Sequence, residues 1–78
     1  MNLYYLSQDD ERGYDTYDSC IVAAETEEEA RLIRPGYGDW GERYGTWARK
    51  PEYVKVELIG TAVKGTRAGV VLASFNAG

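Results

Sequence analysis

Five carboxylates stand within ten residues, Asp9, Asp10, Glu11, Asp15 and Asp18, and by type and spacing they are the side chains best placed for chemistry. Oxygen ligands of this kind can hold a hard cation, but the run lacks the Asp-x-Asp-x-Asp-Gly spacing and the distal glutamate of an EF-hand loop. Paired carboxylates can also hydrolyse glycosides, a reaction that needs a cleft, and 78 residues give no sign of one. The chain has no histidine, so the usual general base and the commonest neutral metal ligand are both missing, and Cys20 has no imidazole to activate it. Cys20 falls in an apolar run, where it reads as a small core hydrophobe. The glycines between Gly36 and Gly45 do not match a phosphate-binding loop, which ends in a lysine and opens a helix. No catalytic residue, metal site or cofactor is expected, and the chain reads as a non-enzyme.

The same acids divide the molecule electrically. Residues 9 to 29 hold nine of the thirteen carboxylates (Asp9, Asp10, Glu11, Asp15, Asp18, Glu25, Glu27, Glu28, Glu29) and one cation, Arg12, which leaves the stretch at −8. Residues 30 to 78 hold four acids and eight bases and stand at +4, so the overall −4 hides the division. An acidic domain is repelled by phosphate backbones. Direct nucleic-acid binding is therefore disfavoured unless the basic half (Arg43, Arg49, Lys50, Lys55, Lys64, Arg67) forms a face of its own. A basic protein surface is the better electrostatic partner.

Elements must position these groups, and the length suits one domain, 1–78. At this size roughly 60% of the unfolded chain's surface becomes buried, near the lower limit for a self-sufficient core. Hydrophobic residues at 44% and aromatics at 13% can bury enough surface to offset chain entropy. A lone cysteine excludes an internal disulfide framework. The opening Met-Asn-Leu-Tyr-Tyr-Leu lacks the basic region of a signal peptide, and no apolar run approaches the ~20 residues of a membrane span. These features point to a cytoplasmic protein without membrane contact.

Leu3–Leu6 has strand-forming side chains on both faces, as in a strand near the middle of a sheet. Ser7–Ser19, rich in Asp, Ser and Thr with Gly13 for the reversal, reads as a long hairpin connection. Cys20–Ala24 reads as a short buried strand returning antiparallel to the first. Thr26 and Glu29 form a capping box, and three glutamates in the first turn oppose the positive end of the helix dipole. The helix is expected to run two to three turns, with Glu27 and Arg31 paired at i and i+4, until Pro35-Gly36 ends it. Gly36–Lys50 has no period; its four glycines and its Tyr37, Trp40, Tyr44 and Trp47 suggest a packed or functional loop. Tyr53–Ile59 alternates, with Val54, Val56 and Leu58 inward and Lys55 and Glu57 outward. Val70–Phe75 is nearly all apolar, which suggests a central strand. The fold class expected is α+β: a small antiparallel β-sheet of about four strands, β-β-α-β-β, made of two hairpins, with one helix packed on one face and the first and last strands central.

The words Gly13-Tyr14-Asp15-Thr16-Tyr17-Asp18-Ser19, Val22-Ala23-Ala24 with Glu28-Glu29-Ala30-Arg31, and Gly69-Val70-Val71-Leu72-Ala73-Ser74-Phe75-Asn76-Ala77-Gly78 resemble a family of small, mostly uncharacterised phage and prophage proteins. The resemblance spans nearly the whole chain and departs in Gly36–Lys50, where such proteins vary in length. It carries no enzyme motif. What it implies is a setting: small acidic proteins of phage genomes often inhibit host defence, among them anti-CRISPR proteins that bind the RNA-guided complex.

Two readings of the acidic stretch follow. In one, the acids cap a helix, fill a turn and keep a small domain soluble. In the other, Asp9, Asp10, Glu11, Asp15, Asp18, Glu27 and Glu28 converge into a surface that imitates nucleic-acid phosphates, with Tyr14 and Tyr17 as flat anchors, and occupies a basic groove of a host defence complex such as a CRISPR effector. A rival interaction module would instead use the aromatic loop 36–50, through Trp40 and Trp47, without mimicry.

Overall fold

The computed structural model describes residues 1–10, 15–36, 40–41 and 45–76, the last by its backbone alone. The expected β-β-α-β-β order is observed: β1 (Asn2–Ser7), β2 (Thr16–Ala24), α1 (Glu27–Arg31), a 3-10 turn (Pro51–Tyr53), β3 (Lys55–Thr61) and β4 (Gly69–Asn76). The four strands form one antiparallel sheet in the order β3-β1-β2-β4, with α1 packed on one face. It is a small α+β fold.

β1 is central, as expected, and pairs with β2 in a hairpin from Asn2↔Ala24 to Ser7↔Ser19. The expectation that the last strand is also central does not hold. Among the described residues β4 pairs with β2 alone and lies at an edge, and β3, paired with β1 alone, forms the opposite edge. The second pair of strands is thus split across the first instead of forming its own hairpin. The apolar character of β4 had suggested burial on both sides; Val70, Val71, Leu72 and Phe75 are instead 43, 56, 64 and 46% exposed.

β2 is longer than the sequence suggested, because Thr16–Ser19, apparently turn-like, joins the strand. An extra residue, Asp18, interrupts its register with β4 between Tyr17 and Ser19, so the polar run bulges without leaving the sheet. The helix, by contrast, is shorter. Thr26 caps it by accepting from the Glu29 N–H at 3.2 Å, and the Glu29 carboxylate reaches back to the Glu25 N–H at 3.2 Å. After one turn the bonding tightens to the i→i+3 pattern, with Leu32 N–H to Glu29 O at 3.2 Å and Ile33 N–H to Ala30 O at 3.1 Å, which swings Ile33 onto the core.

The covered face buries Tyr4, Leu6, Cys20, Val22 and Ala24 of the strands beneath Ala30, Trp47, Ala48 and Val54. The cover is therefore half helix and half irregular chain. Arg31 joins the two parts: its guanidinium lies 3.9 Å from Glu27 and donates to the carbonyls of Pro51, at 3.3 Å, and Val54. Gly36, at φ 81°, allows the remaining close approach, since a Cβ there would stand 2.6 Å from Thr46 Oγ1 and 2.7 Å from a Tyr17 ring carbon. Leu58 points to this face, opposite Tyr4, but stays 61% exposed because the cover ends before it.

Candidate partner-binding surface

The hairpin end of the sheet is set by backbone and side-chain bonds across residues 8 to 18. Gln8, 6% exposed, donates its N–H to Asp18 O at 3.1 Å and its side-chain Nε2 to Tyr17 O at 2.7 Å, holding the strands together past the last ladder pair. The Tyr17 N–H then donates to Thr46 O at 2.7 Å, which brings the irregular cover alongside β2. Asp15 sits at φ 63°, a left-handed conformation that aspartate tolerates better than most residues.

The four described hairpin carboxylates, Asp9, Asp10, Asp15 and Asp18, part company here. Asp10 is clasped by Arg49, whose Nε and Nη2 donate to the two carboxylate oxygens at 3.1 and 3.0 Å while its backbone N–H adds a third bond at 3.0 Å. This bidentate grip holds the Asp10 carboxyl below the usual carboxylate range, through the side-chain hydrogen bonds first and the backbone bond second. Asp10 is a structural strut whose charge is compensated. Asp9, Asp15 and Asp18 are exposed, with the Ser19 hydroxyl donating to Asp18 at 3.4 Å. Glu11 and Tyr14 lie outside the described residues.

The acids of the helix start do not join them. Glu25, Glu27, Glu28 and Glu29 follow the far end of β2, whose last residue, Ala24, stands six positions beyond Asp18, roughly 20 Å at about 3.3 Å per strand residue. The expected convergence of both groups into one face is therefore not what the topology builds: Glu27 and Glu28 form a second, separate acidic end. Of these glutamates, Glu29 caps the helix and Glu27 faces Arg31, while Glu28 is exposed.

The aromatic candidates divide likewise. Trp47 is 1% exposed, so it is core and is corrected as a contact residue; Trp40 is half-buried beneath Arg34, whose guanidinium lies 5.0 Å from the ring. Tyr17, half-buried, packs edge-on against Phe75 at 4.7 Å and beside Gly36, so it closes the core more than it projects from it. Cys20 is 2% exposed, and burial pushes its thiol up to about 12, which leaves no thiolate at neutral pH. Among the described residues no group of three or more acids, cysteines or histidines is arranged to hold a metal ion. Nor, among them, is any helix long and apolar enough to cross a membrane.

The feature that sequence reasoning missed is the other face of the sheet. The register aligns Glu57, Tyr5, Ile21 and Leu72 in one row across all four strands on the side opposite the helix. Tyr5 is 39% exposed and Leu72 64%. The row borders a shallow hollow of about 280 Å³ lined by Tyr5, Ser19, Ile21, Leu72 and Ser74. That is smaller and more open than the ~300–1,000 Å³ of a typical small-molecule pocket. The signal for this row lay in the strands carrying apolar residues on both faces, when only one helix was available to cover one of them.

Compared with models of protein families, with curated proteins and with solved structures, the chain matches none.

Proposed function

We propose that this chain is a phage-encoded, non-enzymatic inhibitor of a host defence complex, of the anti-CRISPR type, acting in the bacterial cytoplasm. It binds a basic surface of the complex through the hairpin end of the sheet and keeps target nucleic acid out by acidic mimicry. The observation that carries this reading is the exposure of Asp9, Asp15 and Asp18 at one end of the sheet, with Asp10 withdrawn into its clasp with Arg49. Exposed carboxylates steer encounter with a basic groove and set orientation there. Glu27 and Glu28, at the far end of β2, are a secondary contact at most in this arrangement.

The test is reversal of Asp15 and Asp18 to lysine, with binding to the purified effector complex and inhibition of its nucleic-acid binding as readouts. Affinity should fall roughly tenfold or more, and the residual binding should depend less on salt. Full inhibition by the reversed protein would remove the reading. A second reading, an interaction module without mimicry, is favoured by the bare apolar row of Tyr5, Ile21 and Leu72 rather than by the aromatic loop, since Trp47 is in the core. There, Tyr5→Ala would abolish partner binding and the lysine reversals would not.

A further inference from the structure

We infer that the free edge of β4 is a self-association surface, through which two copies of this chain pair their β4 strands antiparallel into one continuous eight-stranded sheet. This goes beyond the inhibitory role and does not depend on it. The two edges of the sheet are built differently. β3 presents Lys55 and Glu57, both exposed. Charges on an edge strand are a common means of preventing sheet-to-sheet pairing. β4 has no such guard. From Ala68 onward the sequence contains no Asp, Glu, Lys, Arg or Pro, and β4 itself reads Gly-Val-Val-Leu-Ala-Ser-Phe-Asn. Its register with β2 is interrupted twice, by Asp18 of β2 and by its own extra residue Val71, opposite the Ile21/Val22 step.

Among the described residues nothing pairs with the outer side of this edge, which leaves a row of backbone donors and acceptors beside exposed Val70, Val71, Leu72 and Phe75. The occupant is identified by charge. Both copies are acidic overall, which opposes contact between charged faces, whereas β4 offers each copy an uncharged stretch with bases at one end and acids at the other. Orientation follows from what flanks it. Lys64 and Arg67 precede β4, whereas its far end pairs with Thr16 beside the exposed Asp15 and Asp18. Antiparallel pairing carries each basic turn toward the acidic hairpin end of the other copy; parallel pairing would set acid beside acid. Closure is isologous, so assembly stops at two through this edge. The apolar row also continues across the seam, from Tyr5, Ile21 and Leu72 of one copy to the same residues of the next.

Sedimentation velocity of the wild-type chain over a concentration series is the test. The mass should rise from the 8.7 kDa monomer to twice that value. Leu72→Lys, a change at an exposed position, should hold the chain monomeric at every concentration with an unchanged circular dichroism spectrum. The double variant Lys64→Glu/Arg67→Glu should weaken the dimer several-fold, and an equimolar mixture of it with Asp15→Lys/Asp18→Lys should restore dimers that neither forms well alone. A wild-type chain that stays monomeric throughout, or a dimer indifferent to Leu72→Lys, would overturn the inference. A dimer left unchanged by the glutamate variant would overturn its antiparallel orientation, because parallel pairing sets like-charged turns side by side in either form.

Discussion

Tyr4, Leu6, Cys20 and Val22 point to one face of the sheet and are 0–5% exposed, whereas Tyr5 and Leu72, on the other face, stand at 39 and 64%. The strands supply apolar residues to both faces, and the difference lies in what the rest of the chain can reach. A five-residue helix and the segment around Trp47 suffice for one face only. Stability therefore concentrates on the covered side, and the uncovered side and the β4 edge contribute less to it. Among the described residues nothing covers Tyr5, Ile21 and Leu72, which stand side by side in a domain near the limit at which one core is self-sufficient.

That contrast breaks most readily at Trp47. Replacing it with alanine empties the centre of the cover, and large-to-small changes at buried tryptophans cost about 3–5 kcal/mol. A domain of this size holds only roughly 4–12 kcal/mol in total. The variant should be largely unfolded at body temperature, as read by loss of near-ultraviolet circular dichroism and of cooperative melting; a wild-type melting curve would show that the cover is not what holds the sheet. Next in size is Gly36→Ala. The new Cβ meets Thr46 and Tyr17 inside ordinary contact distance at a positive φ. Strain and overpacking together should cost roughly 2–4 kcal/mol in urea unfolding, whereas Gly65→Ala, also at positive φ but in open space, should cost only the backbone part.

A smaller effect is expected at the clasp. Asp10→Asn keeps the shape but removes the charge that Arg49 grips, and an exposed bidentate pair contributes about 1 kcal/mol or less. The sign with pH is fixed by the depressed carboxyl of Asp10. Its contribution is fully present above the ordinary carboxylate value of 3.8 and is lost as pH falls through the lower folded-state value. The stability difference between wild type and Asp10→Asn should therefore shrink only under acid conditions. A difference that persists in strong acid would mean the clasp acts through packing rather than charge.

How much of this was written in the sequence depends on the range of the interaction. The capping box of Thr26 and Glu29, the Glu27–Arg31 pair and the β1–β2 hairpin are local, and all three were legible from spacing alone. The Asp10–Arg49 clasp joins residues 39 positions apart, and nothing nearby in sequence marks either partner. Trp47 stood in a glycine-rich stretch without a period, so its burial required knowing which surface the stretch folds against. β4 misled because an apolar run looks the same whether it is buried on both sides or waiting at an edge. For the candidate site, the cluster Asp9, Asp15 and Asp18 was visible. Its separation from Glu27 and Glu28 came only with β2, which proved long enough to hold them apart.

The least disruptive change sharpens the comparison of the two faces furthest. Leu72 is on the uncovered face and 64% exposed, so Leu72→Lys removes little buried surface from a single copy and should alter its unfolding free energy by no more than ~0.5 kcal/mol. Association changes the reading, because anything that binds only the folded chain adds stability that grows with concentration. At low concentration wild type and Leu72→Lys should melt together; as concentration rises, the wild-type transition should move upward and the variant's should not. Parallel shifts in both would place the association elsewhere than β4. A low-concentration gap between them would mean that Leu72 contributes to the monomer's own packing, and the uncovered face would then be less bare than its exposure suggests.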